Sequence, residues 1–363
     1  MAFPPVVTSR DAIVLIATVY AHSDGDIDMF LDIMETLISS RCLRLRPAKP
    51  IVSYNLSFDR TMDDPTAVHK FRFTIEQLKL LTAKFGLPAW VVTPSADKAD
   101  SLEALAIVCR RLAEPSRLFT VANEFGRSPE SCSRIIRAVV GIIADRFKDV
   151  VYFNEHLLVE RGVQYAAAIQ KKSGLSGLRS CVGVIDGTKQ YISRPSARKS
   201  GGSHENLQRV VVPDGIIVSM YGPVEGRRHD STVLGMSRIL DRIRIHDDLC
   251  VWCLYGDPAY GCVECLCCPF PAAPPGSDEA AFNAAMSAVR EAVEWSFHLV
   301  KGLWPFLAFD KKMQVRKSPI GLHWIVATLL TNCHTCLKVD GNQISMYFEM
   351  SPPSIDAYLG ITE

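Results

Sequence analysis

Apolar and polar residues alternate along this chain with two different periods. From residue 11 to 45, Met29, Leu31, Ile33, Met34, Leu37 and Ile38 recur at helical spacings and predict one or two amphipathic helices. The stretch 46–72, RPAKPIVSYNLSFDRTMDDPTAVHKFR, mixes Pro, Asp and Ser without a sustained period and reads as a linker or arm. A helix resumes over 73–85 and is ended by Gly86 and Pro88. Next comes SLEALAIVCRRL, with Ser101 at its N-cap, stopping at Glu114 and Pro115. A short helix, SRLFTVANEF, stops at Gly126, and Ser128 with Pro129 then opens a third, ESCSRIIRAVVGIIADRF.

Near residue 180 the period changes. CVGVID is a nearly continuous apolar run that ends on Asp186. RVVV, Pro213-Asp214-Gly215 and IIVSMY read as strand, tight turn and strand, and LCVWCLYGDPAYG as another buried strand that delivers Asp257 at its end. Residues 278–301 predict a long helix with an apolar stripe of Phe282, Met286, Val289, Val293, Phe297 and Val300.

Composition narrows the class. A chain of 363 residues is long enough for two or three domains. With 48% hydrophobic and 22% charged residues it is built like a folded globular protein, which excludes wholesale disorder and fibrous repeats. The net charge of +1 provides no global field to attract nucleic acid or anionic lipid, so any basic surface is local. No apolar run reaches the roughly 20 residues that span a bilayer, and no membrane partner is expected. MAFPPVVTSRD lacks a basic stretch followed by an apolar one, so secretion is not expected either.

Helix, glycine-containing turn, helix over 101–148 is the outline of a helix-turn-helix unit. Its third helix would enter a major groove, offering Arg127, Ser131, Arg134 and Arg137 from the turn and the first helical turns. The segment carries eight Lys/Arg against five Asp/Glu, which supports that reading modestly. The alternative is a small helical bundle that serves packing.

Two buried strands that each end on an acid call for a chemical reason. If they are neighbours and the 278–301 helix crosses them, a carboxylate on that helix joins Asp186 and Asp257. Converging carboxylates repel unless divalent cations sit between them. Two Mg2+ or Mn2+ ions held this way activate a water or a 3'-hydroxyl for phosphodiester cleavage. On the helix, Arg290, Glu294, His298 and Lys301 share a face at steps of four, four and three, with Glu291 as a competing acid. In GPVEGRRHDSTVL, Asp230 or Ser231 is the expected helix cap; Asp230 is otherwise a fourth acid of the site, with Arg227 and Arg228 placed for phosphate. Residues 187–245 hold ten Lys/Arg against five Asp/Glu, so the basic surface lies on this flank.

GVIDGTKQYISRP, VVPDGIIVSMYGPVEGRRHDSTVL, YGDPAYG and FNAAMSAVREAVEWSF resemble the DDE endonuclease domain of PIF/Harbinger-type transposases and the nucleases derived from them. The resemblance runs from about residue 180 to 337, and the helix-turn-helix segment resembles the region that precedes this domain. It implies an α/β fold: an RNase H-like catalytic domain, a mixed central sheet flanked by helices, preceded by an all-α helix-turn-helix-like domain. It also implies divalent-metal chemistry on double-stranded DNA at transposon ends. By position, the catalytic acids fall on Asp186, Asp257 and Glu294, with Asp230 as a further metal ligand. Arg227, Arg228, Arg290 and Lys301 are then candidates for the phosphate backbone. The segment SARKSGGSHENLQRVVV after Pro195 is shorter than the family's, which suits either a tightened loop or a copy that has lost full activity.

The implied organisation is a helical N-terminal region and linker over 1–72, a helix-turn-helix-like domain over 73–165, the endonuclease domain over 166–340 and a tail over 341–363. The expected activity is a metal-dependent nuclease or transposase, helped by a separate DNA-binding partner protein and located in the nucleus. The alternative is a transposon-derived DNA-binding protein that does not cleave. Among twelve cysteines, CxxC pairs at Cys250/Cys253, Cys262/Cys265 and Cys333/Cys336 raise a structural zinc site on Cys262, Cys265, Cys333 and Cys336. Plain burial is the stronger reading of these cysteines.

Overall fold

The computed structural model describes residues 9–22, 26–39, 52–175, 178–192, 204–308 and 319–361. Two compact units emerge, Met1–Ile51 and Val52–Glu363. In the first, helices α1 (Ser9–His22) and α2 (Ile27–Ser39) form where the apolar spacing predicts them. The Asp26 carboxylate accepts from the amides of Asp28 and Met29 to start α2, and Tyr20 meets Phe30 edge-on at 5.6 Å.

The second unit begins with a helix inside the stretch whose mixed composition predicts a linker. Asp63 accepts from the Thr66 amide at 3.0 Å and Pro65 sits in the first turn, so α3 (Asp64–Phe71) forms and buries Ala67 and Phe71 one turn apart. A capping box between Thr74 and Gln77 opens α4 (Ile75–Lys84). Two three-residue strands, β1 (Trp90–Val92) and β2 (Lys98–Asp100), then pair as a hairpin too short to show in the sequence pattern.

Helices α5 (Ser101–Ala113), α6 (Leu118–Glu124) and α7 (Pro129–Tyr152) stand where expected, followed by α8 (Glu155–Ser173). The cap of α5 is Asp100, not Ser101: its carboxylate accepts from the Glu103 amide at 3.2 Å. Ser128 caps α7 as predicted. Gly126, at φ +58°, makes the turn before α7, and a Cβ there would lie 1.9 Å from the Leu56 carbonyl oxygen. The apolar face of α7, including Ile135, Val139, Ile143 and Phe147, is fully or almost fully buried. It packs on α5 and α6 and also on elements of the α/β half, so the helical segment and the sheet share one core.

That half begins with β3 (Cys181–Tyr191), β4 (His204–Val211) and β5 (Ile217–Glu225), an antiparallel meander. Short helices α9 (Asp230–Ser237) and α10 (Ile239–Ile245) lead to β6 (Cys253–Tyr255) and β7 (Leu266–Cys267). The sheet order is β5-β4-β3-β6-β7, with β6 and β7 running parallel to β3. Helices α11 (Asp278–Leu303), α12 (Ile320–Leu337), α13 (Gln343–Phe348) and α14 (Ile355–Leu359) complete the chain. This is the mixed sheet flanked by helices that an RNase H-like domain requires. By length and composition alone α12 is apolar enough to cross a membrane, but it is mostly buried in this core.

Two strands differ from the sequence reading. β3 does not stop at Asp186 but runs on to Tyr191, because β4 keeps pairing with it as far as Tyr191 opposite His204. β6 is only three residues long, since Leu249–Trp252 closes a turn, the Trp252 amide donating to the Leu249 carbonyl at 2.9 Å. Of the segment after Pro195 that reads as short, residues 196–203 lie outside the described residues.

Buried polar groups tie the last helices to the sheet. Asn332 of α12 clamps the backbone of edge strand β5, accepting from the Ile217 amide at 3.0 Å and donating to its carbonyl at 2.9 Å. At the β4–β5 turn, Asp214 is fully buried, accepts from the Tyr165 hydroxyl at 2.7 Å and pairs with Arg161 at 3.3 Å. Burial pushes its carboxyl up to about 6, against the pull of Tyr165 and Arg161. Asp214→Ala strands Arg161 and Tyr165, and a loss of about 3–5 kcal/mol is expected. A lowered urea midpoint with an unchanged m-value checks it.

Candidate active site

Adjacent strands carry the first two acids to one place. Val184 pairs with Tyr255 in the parallel β3–β6 ladder, and each acid lies two residues further on. Residues 181–185 are buried and Asp186 is where β3 emerges. Its Oδ1 accepts from the Gly187 amide at 2.8 Å. Asp257 caps the 3-10 turn Pro258–Tyr260, its Oδ1 accepting from the Ala259 amide at 2.9 Å, which leaves Oδ2 facing α11.

Asp230 approaches from the third side. It is the first residue of α9 rather than its cap; His229 takes the cap position, without a side-chain bond. The carboxylate comes alongside β3 because residue 187 is glycine: a Cβ there would lie 3.0 Å from Asp230 Oδ1 and 3.4 Å from the Tyr260 hydroxyl. Neither Gly187 nor Tyr260 was singled out by sequence reasoning, although both flank acids in the motifs GVIDGT and GDPAYG.

On α11, Glu294 lies one turn after Arg290, and the guanidinium sits between acids: Nη1 is 3.0 Å from Asp257 Oδ2 and Nη2 is 3.9 Å from Glu294 Oε1. The competing acid, Glu291, bears instead on Tyr347, whose hydroxyl burial and Glu291 both push up. Asp186 is raised above the ordinary carboxylate range, first by burial. The Gly187 amide and Arg290 oppose that rise, and Asp257 and Glu294 add to it. Asp230 is raised likewise by burial and by Asp257, against Lys189 and His229. Among the described residues, no three acidic, histidine or cysteine side chains are gathered closely enough to hold an ion as they stand.

Beside the acids opens a cleft of about 750 Å3, lined by Lys189, Asn206, Arg227, Arg228, Asp230 and Lys301 among others. The Lys301 ammonium is lowered by burial and by Arg209 beneath it. Arg209 is fully buried, with its guanidinium 4.5 Å from the Phe297 ring and 5.0 Å from that of Trp324.

The arginines expected to be offered by a helix-turn-helix are differently placed. Arg127 forks onto Glu103 with two bonds of 2.7 Å, and Arg134 onto Asp97 with bonds of 2.6 and 2.9 Å. Arg134 and Thr93 hold Asp97 far below its ordinary range. Both arginines are therefore neutralised within the chain, whereas Arg137 is exposed on the rim of a hollow of about 400 Å3 with Ser133 and Glu130. Asp97 and Glu103 carry no motif that would have predicted these pairs.

The zinc set is spread over separate elements. Cys262 accepts from the Cys268 amide at 3.2 Å in the loop around β7, while Cys333 is fully buried in α12. Two thiols that do approach each other, Cys253 and Cys267, lie on neighbouring strands, 3.8 Å apart.

Residues 185–332 match the family model of the DDE superfamily endonucleases. That span holds Asp186, Asp230, Asp257, Glu294 and Lys301, and it supports a transposase-derived nuclease. No curated protein and no solved structure matches the chain. DDE endonucleases typically use divalent metal ions. The donor set here is all carboxylate oxygen, the chemistry that hard divalent cations take, and Asp186 and Asp230, raised first by burial and then by neighbouring acids, fit such an ion.

The pH dependence follows from those shifts. Asp230 binds its proton more tightly folded than unfolded, so its ionised form disfavours the metal-free fold. In chelator, Asp230→Asn is expected to raise the melting temperature at neutral pH. The gain fades as pH falls below the unfolded value of an aspartate, where both states already hold the proton. Thermal unfolding of both proteins between pH 4 and 7.5 checks it.

Proposed function

We propose that this protein is a divalent-metal-dependent DNA endonuclease of the PIF/Harbinger transposase type. One observation carries the reading: acids from two adjacent parallel strands and a crossing helix stand at the edge of a cleft whose other side is basic. Asp186, Asp257 and Glu294 would hold Mg2+ or Mn2+, with Asp230 as a further ligand. When bound, such ions activate a water or a 3'-hydroxyl and stabilise the leaving oxygen of a phosphodiester.

The chain's own residues do the rest. Lys189, Arg227, Arg228 and Lys301 face the cleft where a phosphate backbone would lie and neutralise it without reading sequence. Buried Arg209 adds positive potential beneath Lys301. Arg137 is the helix-turn-helix arginine still available to DNA, so target recognition rests more on its exposed face of α7, or on a separate DNA-binding partner, than on Arg127 and Arg134. Strand joining at transposon ends uses the same acids, and a nuclear location follows from the substrate. A protein that binds DNA without cleaving it is the second reading; it draws on the pairing of Arg290 with Asp257 and Glu294, which keeps the acids apart.

Nicking of supercoiled plasmid in Mn2+ separates the two. Cleavage by the wild type that falls at least about a hundredfold in Asp257→Asn is expected, since loss of even an outer partner of a metal ligand reduces activity 10–100-fold. A wild type that binds DNA but leaves plasmid intact supports the second reading.

A further inference from the structure

The acids of this site have their own cation. Asp257 and Glu294 bear on Asp186, and Asp257 bears on Asp230, and such a gathering needs counter-charge. Lys189 and His229 act on Asp230. For Asp257 and Glu294, among the described residues, the ion-pair partner is Arg290, at 3.0 and 3.9 Å, and Arg290 is also the cation that acts on Asp186. Its side chain is 27% exposed, so the head lies against the acids rather than in solvent. Its Nε is buried and without a hydrogen-bond partner, so the guanidinium is held by charge more than by a completed set of bonds.

Two features make this pairing incompatible with an ion in the same place. The planar guanidinium fork binds Asp257 Oδ2 with one nitrogen and approaches Glu294 with another, which spreads the two carboxylates across its width. As they stand, no three acids among the described residues are gathered to hold an ion. A divalent cation would need the same oxygens turned inward, at about 2.0–2.6 Å from one centre, and would compete with the guanidinium for them.

We propose that Arg290 is the resident counter-ion of the metal-free site and leaves Asp257 when a divalent ion loads. The inference rests on the metal-nuclease reading above and specifies its regulation. Arg290 and Lys301 project from the same side of α11. Once released, the guanidinium is free for phosphate at the moment the ion arrives, so metal loading and the grip on DNA are coupled. The free protein in turn keeps its acids paired and their mutual repulsion low while no substrate is present.

Isothermal titration of the full-length protein with Mn2+ alone tests this, alongside thermal unfolding in EDTA. Arg290→Gln is expected to bind Mn2+ about twofold to fivefold more tightly than wild type, the range set by removing a partly exposed competing ion pair. In EDTA the same variant unfolds at a lower temperature, because its carboxylates have lost their counter-charge. Arg290→Lys, with a single compact ammonium that cannot span both acids, falls between the two. Circular dichroism confirms folding; should the Gln variant not fold, Arg290→Lys decides, and tighter Mn2+ binding than wild type is again required. Equal or weaker binding in the folded variants overturns the proposal. If wild type binds Mn2+, Asp257→Asn does not, and Arg290→Gln gains nothing, this proposal alone fails. If no protein binds Mn2+ and plasmid stays intact, the metal-nuclease reading fails and takes the proposal with it.

Discussion

Mutual repulsion among carboxylates is the constraint around which this molecule is arranged. β3 and β6 run parallel and last pair at Val184 and Tyr255, so Asp186 and Asp257 leave the sheet at equal distances past that pair. α9 and α11 then bring Asp230 and Glu294 toward the same edge. Nothing in a hydrophobic core favours such a gathering; burial and neighbouring charge both oppose it, and both raise Asp186 and Asp230. A fold that maintains the arrangement must hold the four backbones rigidly from behind and supply positive charge in front.

The rigid support comes from one continuous core. α7 is the central element: it packs on α5 and α6 on one side and on α12 and β5 on the other, so the helical segment braces the sheet that presents the acids. Asn332 closes the open edge of β5, and the Asp214–Tyr165–Arg161 cluster pins the β4–β5 turn. Even Arg209, opposite Asp186 in the β3–β4 ladder, is fully buried between Phe297 and Trp324. Its charge is kept inside the domain, beneath Lys301.

The positive charge in front is local, as a net charge of +1 demands. Lys189, Arg227, Arg228 and Lys301 line the cleft. The arginines of α7 and of the turn before it contribute less, because Glu103 and Asp97 occupy Arg127 and Arg134. A basic count along a segment is thus a poor guide to its field, because side chains that fork onto carboxylates act as stabilising struts.

Local rules are legible without coordinates. Ser128 before Pro129 caps α7, Asp186 and Asp257 terminate buried apolar runs, Pro213-Asp214-Gly215 turns a hairpin, and the 278–301 stripe is helical, because caps, turns and periodicity depend on neighbours a few residues away. The resemblance carried by GVIDGT, GDPAYG and VEWSF pointed to the same acids. Three things needed the tertiary structure. The continuation of β3 past Asp186 is imposed by its partner β4, whose pairing is not written in β3 itself. The turn at Asp63 made a helix of an apparent linker only because Ala67 and Phe71 had a core to enter. And the partners of Arg127, Arg134 and Arg290 lie 24, 37 and 33 residues away along the chain; a charge's role is set by what folds against it, and that distance is decided only in space.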